Sequence, residues 1–96
     1  MYSFKIRALA QKDIQEAVDY YDSIDSGIAD RFLKVLFSRF DVIKGNPLMF
    51  SIKYREIRLC YLKDFPFGIH FHINNSEISV IAVLHTSRNP EIWGKR

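Results

Sequence analysis

The feature that most constrains this chain is a change of period near its middle. Apolar residues recur every three or four positions up to Gly45, and every second position from Tyr54 onward. A 3.6-residue repeat followed by a two-residue repeat specifies helices that pack on a sheet. In the first half, Ala10, Ile14, Ala17, Val18, Tyr21 and Ile24 fall on one helical stripe, while Asp13, Glu16, Asp19 and Asp22 lie off it and are expected to face water. After a break at Asp25-Ser26-Gly27, with Ser26 as the expected cap, Ala29, Phe32, Leu33, Leu36, Phe40 and Ile43 define a second helix. Gly45-Asn46-Pro47 ends it, since Gly tolerates the turn-out and Pro cannot continue the helix. Two amphipathic helices joined by so short a break form an antiparallel hairpin.

The strands follow the other period. Tyr2, Phe4 and Ile6 alternate with polar residues at the start of the chain. Ile57, Leu59 and Tyr61 alternate with Arg58, Cys60 and Leu62; Phe67, Ile69, Phe71 and Ile73 alternate with Gly68, His70 and His72. A turn at Asn74-Asn75-Ser76 leads to Ile78–Leu84, which is apolar on both faces and therefore belongs inside a sheet. The expected class is α+β, a single domain over residues 1–96 in the order β-α-α-β-β-β. Its helical hairpin packs on an antiparallel sheet, the first strand lies beside the last, and a short C-terminal helix or tail starts at Asn89-Pro90.

Composition narrows the classes of function. Of 96 residues, 48% are apolar and eight are Phe, enough for one core and too few for two. One cysteine, Cys60, precludes an internal disulfide and a multi-cysteine zinc module. The first residues are interrupted by Lys5 and Arg7, unlike a signal peptide, and no run nears the roughly 20 apolar residues of a membrane span. A cytoplasmic protein without membrane contact is expected. Residues 1–52 carry seven basic and seven acidic side chains, and residues 53–96 seven and four, so the whole net charge of +3 lies in the second half. That asymmetry favours an acidic partner surface.

Motifs for catalysis are sparse. Gly27, Gly45, Gly68 and Gly94 stand alone, so no loop cradles phosphate, and no carboxylate pair falls on adjoining strands. His70 and His72, even with Cys60 or His85, make only half a metal site; neither metal nor cofactor is expected. Arg58 in mid-strand is either a surface arginine or a fixed cation for phosphate or carboxylate. His85 and Arg88 follow the central strand, and Trp93 with Lys95 and Arg96 sets an aromatic anchor among cations. Tyr20, Val35, Phe37 and Val42 fall off the core stripes and widen the apolar faces of their helices, which a partner's helix or strand would cover.

Taken in order, Asp13-Ile14, Glu16-Ala17, Tyr20-Tyr21, Ala29-Asp30-Arg31-Phe32, Asn46-Pro47, Tyr54, Ile57-Arg58, Phe65-Pro66-Phe67, Ile69, Ala82-Val83-Leu84-His85, Arg88-Asn89-Pro90 and Trp93 carry a resemblance nearly end to end. The chain resembles the ParE branch of the RelE/ParE toxin superfamily. The resemblance implies a plasmid-stabilisation or chromosomal toxin of a type II toxin–antitoxin system. Its cognate antitoxin, ParD-like or similar, would fold a disordered segment along Tyr20, Val35, Phe37 and Val42, giving a hetero-oligomer. ParE-type members inhibit DNA gyrase by direct binding, without enzymatic activity; RelE-type members are mRNA interferases, endonucleases that cut messenger RNA in the ribosome. RelE-like nucleases commonly place an arginine where this chain has Gly68, and a functional Tyr or His in the tail that here reads Ile92-Trp93-Gly94-Lys95-Arg96. These departures favour gyrase binding through Arg58, His85, Arg88, Trp93, Lys95 and Arg96. The alternative, RNA cleavage, would draw on Arg58, His70, His85 and Arg88. A third reading is a relic that binds its antitoxin but harms nothing.

Overall fold

A computed structural model describes residues 2–87. The helical pair is α1 (Ala8–Ile24) and α2 (Ser26–Gly45), followed by a 3-10 turn at Pro47–Met49. The strands are β1 (Ser3–Ile6), β2 (Ile52–Tyr54), β3 (Ile57–Tyr61), β4 (Phe67–Asn74) and β5 (Glu77–His85). They form one sheet in the order β1-β5-β4-β3-β2. The expected tail helix at Asn89-Pro90 lies outside the described residues.

Two features differ from the sequence expectation. The sheet is mixed: β2 to β5 are antiparallel, but β1 pairs with β5 in parallel, Ser3 opposite Glu77 and Ile6 opposite Val80. Tight turns force antiparallel neighbours, whereas β1 reaches β5 through the helical pair and three further strands, so no turn imposes that sense. The second difference is β2, which forms a hairpin with β3 across Arg55 and Glu56, at φ of 42° and 63°. A two-residue turn with both φ values positive normally carries Asn or Gly, so Arg-Glu conceals it. The Asn75 turn, at φ 57°, uses the residue type such geometry favours.

The core lies between the helices and one sheet face. Phe32, Leu36, Phe40 and Ile43 of α2 and Ala10 and Ala17 of α1 meet Cys60, Ile69, Phe71, Ile78, Val80 and Val83. Tyr21 touches the rings of Phe32, Phe65 and Phe67 at centroid distances of 5.4, 5.2 and 6.2 Å, which locks α1, α2 and the start of β4 together. Burial raises the Tyr21 pKa, with Tyr20 beside it adding to the shift. Leu59, His70 and Ala82 pair in a row across β3, β4 and β5 on the opposite face, and all three are buried.

Three side chains depart from their expected places. Asp25, not Ser26, caps α2: its carboxylate accepts from the Gly27 N–H at 2.7 Å, because Asp25 holds the extended conformation of the cap. Ile24 belongs to the core stripe by period, yet as the last residue of α1 it is 58% exposed. Asp13, expected in water, is 6% exposed, and its Oδ2 accepts from the backbone N–H of Val83 at 3.0 Å. β1 is paired only as far as Ile6, so the carboxylate serves a β5 donor past the end of that strand. Asp13→Ala should therefore lower stability by about 1–3 kcal/mol by stranding the Val83 donor. A urea midpoint equal to wild type, followed by circular dichroism, would remove this role.

Candidate functional site

The Asp13 contact also shapes a cleft. Tied to β5 at Val83, α1 packs along that strand, and an opening lies between the outer side of α1 and the adjoining ends of β4 and β5. The opening, about 440 Å³, is lined by Asp13, Glu16, Ala17, Tyr20, Tyr21, Ile24, Pro66, Phe67, Val83 and His85. Tyr20 and Ile24, 62% and 58% exposed, form its outer wall. Opposite them, His85 stacks edge-on to Phe67 at 5.4 Å. The Ser87 N–H donates to His85 Nδ1 at 3.1 Å, with Ser87 Oγ 2.7 Å from the same nitrogen. Nδ1 thus accepts from the backbone, which leaves Nε2 as the protonated nitrogen of the neutral ring.

Among the described residues, the remaining candidates for chemistry, Arg58, His70 and His72, do not converge on this cleft. Arg58 faces the helix side of the sheet, opposite Phe71, and its Nη1 donates to the Phe50 carbonyl at 2.6 Å. Arg39 lies over the Phe50 ring at 5.9 Å, and that ring meets Phe71 edge-on at 5.7 Å. Arg58 thereby holds the segment between α2 and β2 against the core. His70, half of the metal pair weighed in the sequence, is 1% exposed, with its Nδ1 2.9 Å from the Tyr54 hydroxyl. The β2 hairpin, unseen in the sequence pattern, is what brings Tyr54 to it. His72 shares that sheet face but lies beside Arg7, Leu9 and Ile81 in a separate shallow depression. Among the described residues, no group of three His, Cys, Asp or Glu is placed to hold a metal ion. Arg88, Trp93, Lys95 and Arg96 lie outside the described residues.

Gly68 is buried in β4 opposite Tyr61, and a Cβ there would come within 2.8 Å of Leu59 Cδ1. A long side chain at this position would have to displace Leu59, itself buried. The surplus apolar residues divide between surfaces. Val35 and Val42, both half-buried, lie on one flank of α2. Phe37, 53% exposed, lies roughly 160° around the helix from Val35, next to Phe40, which meets Phe4 of β1. Tyr20 sits on α1 at the cleft. Ile24, assigned to the core by its period, belongs to this cleft wall; its place in the last turn of α1 was the only signal in the sequence.

The chain was compared with known proteins. The family model described as the ParE toxin of type II toxin-antitoxin system, parDE, matches residues 4–90. Among solved structures, the chain is similar to one titled a chromosomal ParDE TA system from P. aeruginosa, with a TM-score of 0.79 at 17% identity, over 88% of this chain and 96% of that one. At that identity the likeness speaks for the fold. No curated protein matches the chain. No helix among the described residues is long and apolar enough to cross a membrane.

Cys60 offers a check on the packing behind the site. Burial pushes its thiol pKa up, and the Arg39 guanidinium beside it opposes that shift. A thiol that ionises more readily unfolded than folded withdraws stability as pH rises through the ordinary thiol range. Native protein at pH 8 should therefore react with a disulfide reagent only as it unfolds, and far more slowly than in urea. Prompt stoichiometric labelling of the folded chain would show the Arg39–Cys60 region to be open.

Proposed function

The chain belongs to the ParE toxin family of type II toxin-antitoxin systems, and on that premise we propose that it acts in the cytoplasm by binding DNA gyrase directly, without cutting RNA, until its cognate antitoxin covers it. The observation that carries this reading is the dispersal, among the described residues, of the groups an RNA-cleaving site would need. Cleavage of RNA requires cations at the scissile phosphate and a base for the 2′-hydroxyl within hydrogen-bond reach of one another. Here Arg58 is engaged by the Phe50 carbonyl, His70 is buried against Tyr54, and His85 stands apart from both at the cleft. Gly68 brings no basic side chain to its sheet face, which supports the same reading.

The target-binding group in this proposal is His85 with Arg88, Trp93, Lys95 and Arg96, which follow it in sequence and supply an aromatic anchor and three of the chain's cations. Arg58 would add to it only through the guanidinium nitrogens not donated to Phe50. Purified chain should block supercoiling by gyrase and leave messenger RNA on translating ribosomes intact. Normal supercoiling at saturating chain would sink the proposal. Ribosome-dependent cleavage abolished by His85→Ala would put an RNA-cutting toxin in its place.

The antitoxin's place is proposed from exposure. Tyr20 on α1, Val35 and Val42 on one flank of α2, and Phe37 on the other leave apolar surface on several sides of the hairpin. An extended segment that wraps the helices covers all of it; a single short helix would not. Phe37→Asp should weaken antitoxin binding about tenfold or more while the melting temperature of the free chain stays close to wild type, because Phe37 is already half in water. Equal affinity in a pull-down titration would move the interface away from that flank.

A further inference from the structure

We propose that the cleft between α1 and the β4–β5 end seats one large apolar side chain of the antitoxin, and that Glu16 holds a lysine or arginine next to that side chain. The inference rests on the antitoxin reading above and adds the chemistry of the segment that binds. The cleft presents Ala17, Pro66, Phe67 and Val83 as an apolar floor, with Tyr20 and Ile24 as an exposed wall. Large side chains held this far in water in a concave site gain most when another apolar group displaces that water.

Charge decides the kind of partner. Among the described residues, the lining contains the carboxylates of Asp13 and Glu16 and no lysine or arginine. Along α1, Asp13, Glu16, Asp19 and Asp22 face a single cation, Lys12, in a chain whose net charge is +3. The α1 wall of the cleft is thus anionic on a basic protein, and it favours a cation-bearing segment over the acidic partner that the whole-chain charge attracts. Asp13 is buried and bonded to Val83, so the exposed Glu16 is the carboxylate that meets the incoming cation. His85, across the cleft, offers Nε2–H to a backbone carbonyl of the same segment.

The test uses the full chain and the polypeptide encoded by the reading frame beside its gene. The two are purified as a complex, separated, and titrated back together by calorimetry. Ile24→Asp and Glu16→Lys should each weaken binding at least about tenfold, with Glu16→Gln between wild type and Glu16→Lys. The Glu16→Lys loss should shrink as salt is raised. Both residues are exposed, so circular dichroism melts should match wild type and exclude misfolding. If wild type binds and the Ile24 and Glu16 variants bind equally well, the cleft is not the seat and this inference falls while the antitoxin reading stands. If wild type does not bind the neighbouring polypeptide, the antitoxin reading falls and takes the inference with it. If the chain alone sediments as a dimer that Ile24→Asp dissociates, the occupant is a second copy, which overturns the proposal.

Discussion

A single buried carboxylate sets the relation between the helices and the sheet. β1 is paired with β5 only to Val80, and β5 continues for several residues past it. The Arg7 N–H still reaches the Val80 carbonyl at 2.9 Å, after which the chain turns into α1. Asp13 then supplies the acceptor for Val83 at 3.0 Å. An unsatisfied backbone donor at this depth is costly, so the helix stays where the carboxylate can reach. That anchor fixes the course of α1 along β5, and the gap left beside its last turns is the cleft.

Around that anchor, aromatic rings carry the packing at both ends of the helical pair. Tyr21, Phe32, Phe65 and Phe67 close the end nearest the cleft. Phe4, Phe40 and Phe37 close the other, with Lys44 4.9 Å from the Phe4 ring centre. Arg39 and Arg58 bracket Phe50 in between. Arg58 gives Nη1 to the Phe50 carbonyl and Arg39 lies over the Phe50 ring, so both hold this segment against the core. The exposed apolar side chains Tyr20, Ile24 and Phe37 and the acidic side of α1 are left at the surface of the hairpin.

Much of the architecture was legible because apolar periodicity reports burial directly. Phe32, Leu36, Phe40 and Ile43 were read as one stripe and all are buried; the alternation from Ile57 to Ile73 became β3 and β4. The misses have separate causes. Asp13 was read as solvated because its type predicts exposure, and only a backbone donor from a strand some 70 residues away reverses that. Ile24 keeps the helical period to the last residue of α1 yet lines the cleft, 58% exposed. β2 stayed hidden because Arg55 and Glu56 adopt turn geometry that their side chains do not favour. A distant contact overrules local chemistry at Asp13, whereas Ile24 lacks cover and β2 turns on residues whose type does not signal a turn.

The order of residues alone determined the element types, the hairpin of helices, the antiparallel run from β3 to β5 and the family, since each depends on patterns within a few dozen neighbours or on their sequence along the chain. The tertiary structure decided which sense β1 takes, where Asp13 goes, that Arg58 and His70 face inward partners, and that Tyr20, Ile24 and His85 border one opening. These are meetings between segments remote in the chain, and periodicity carries no information about which remote segments meet.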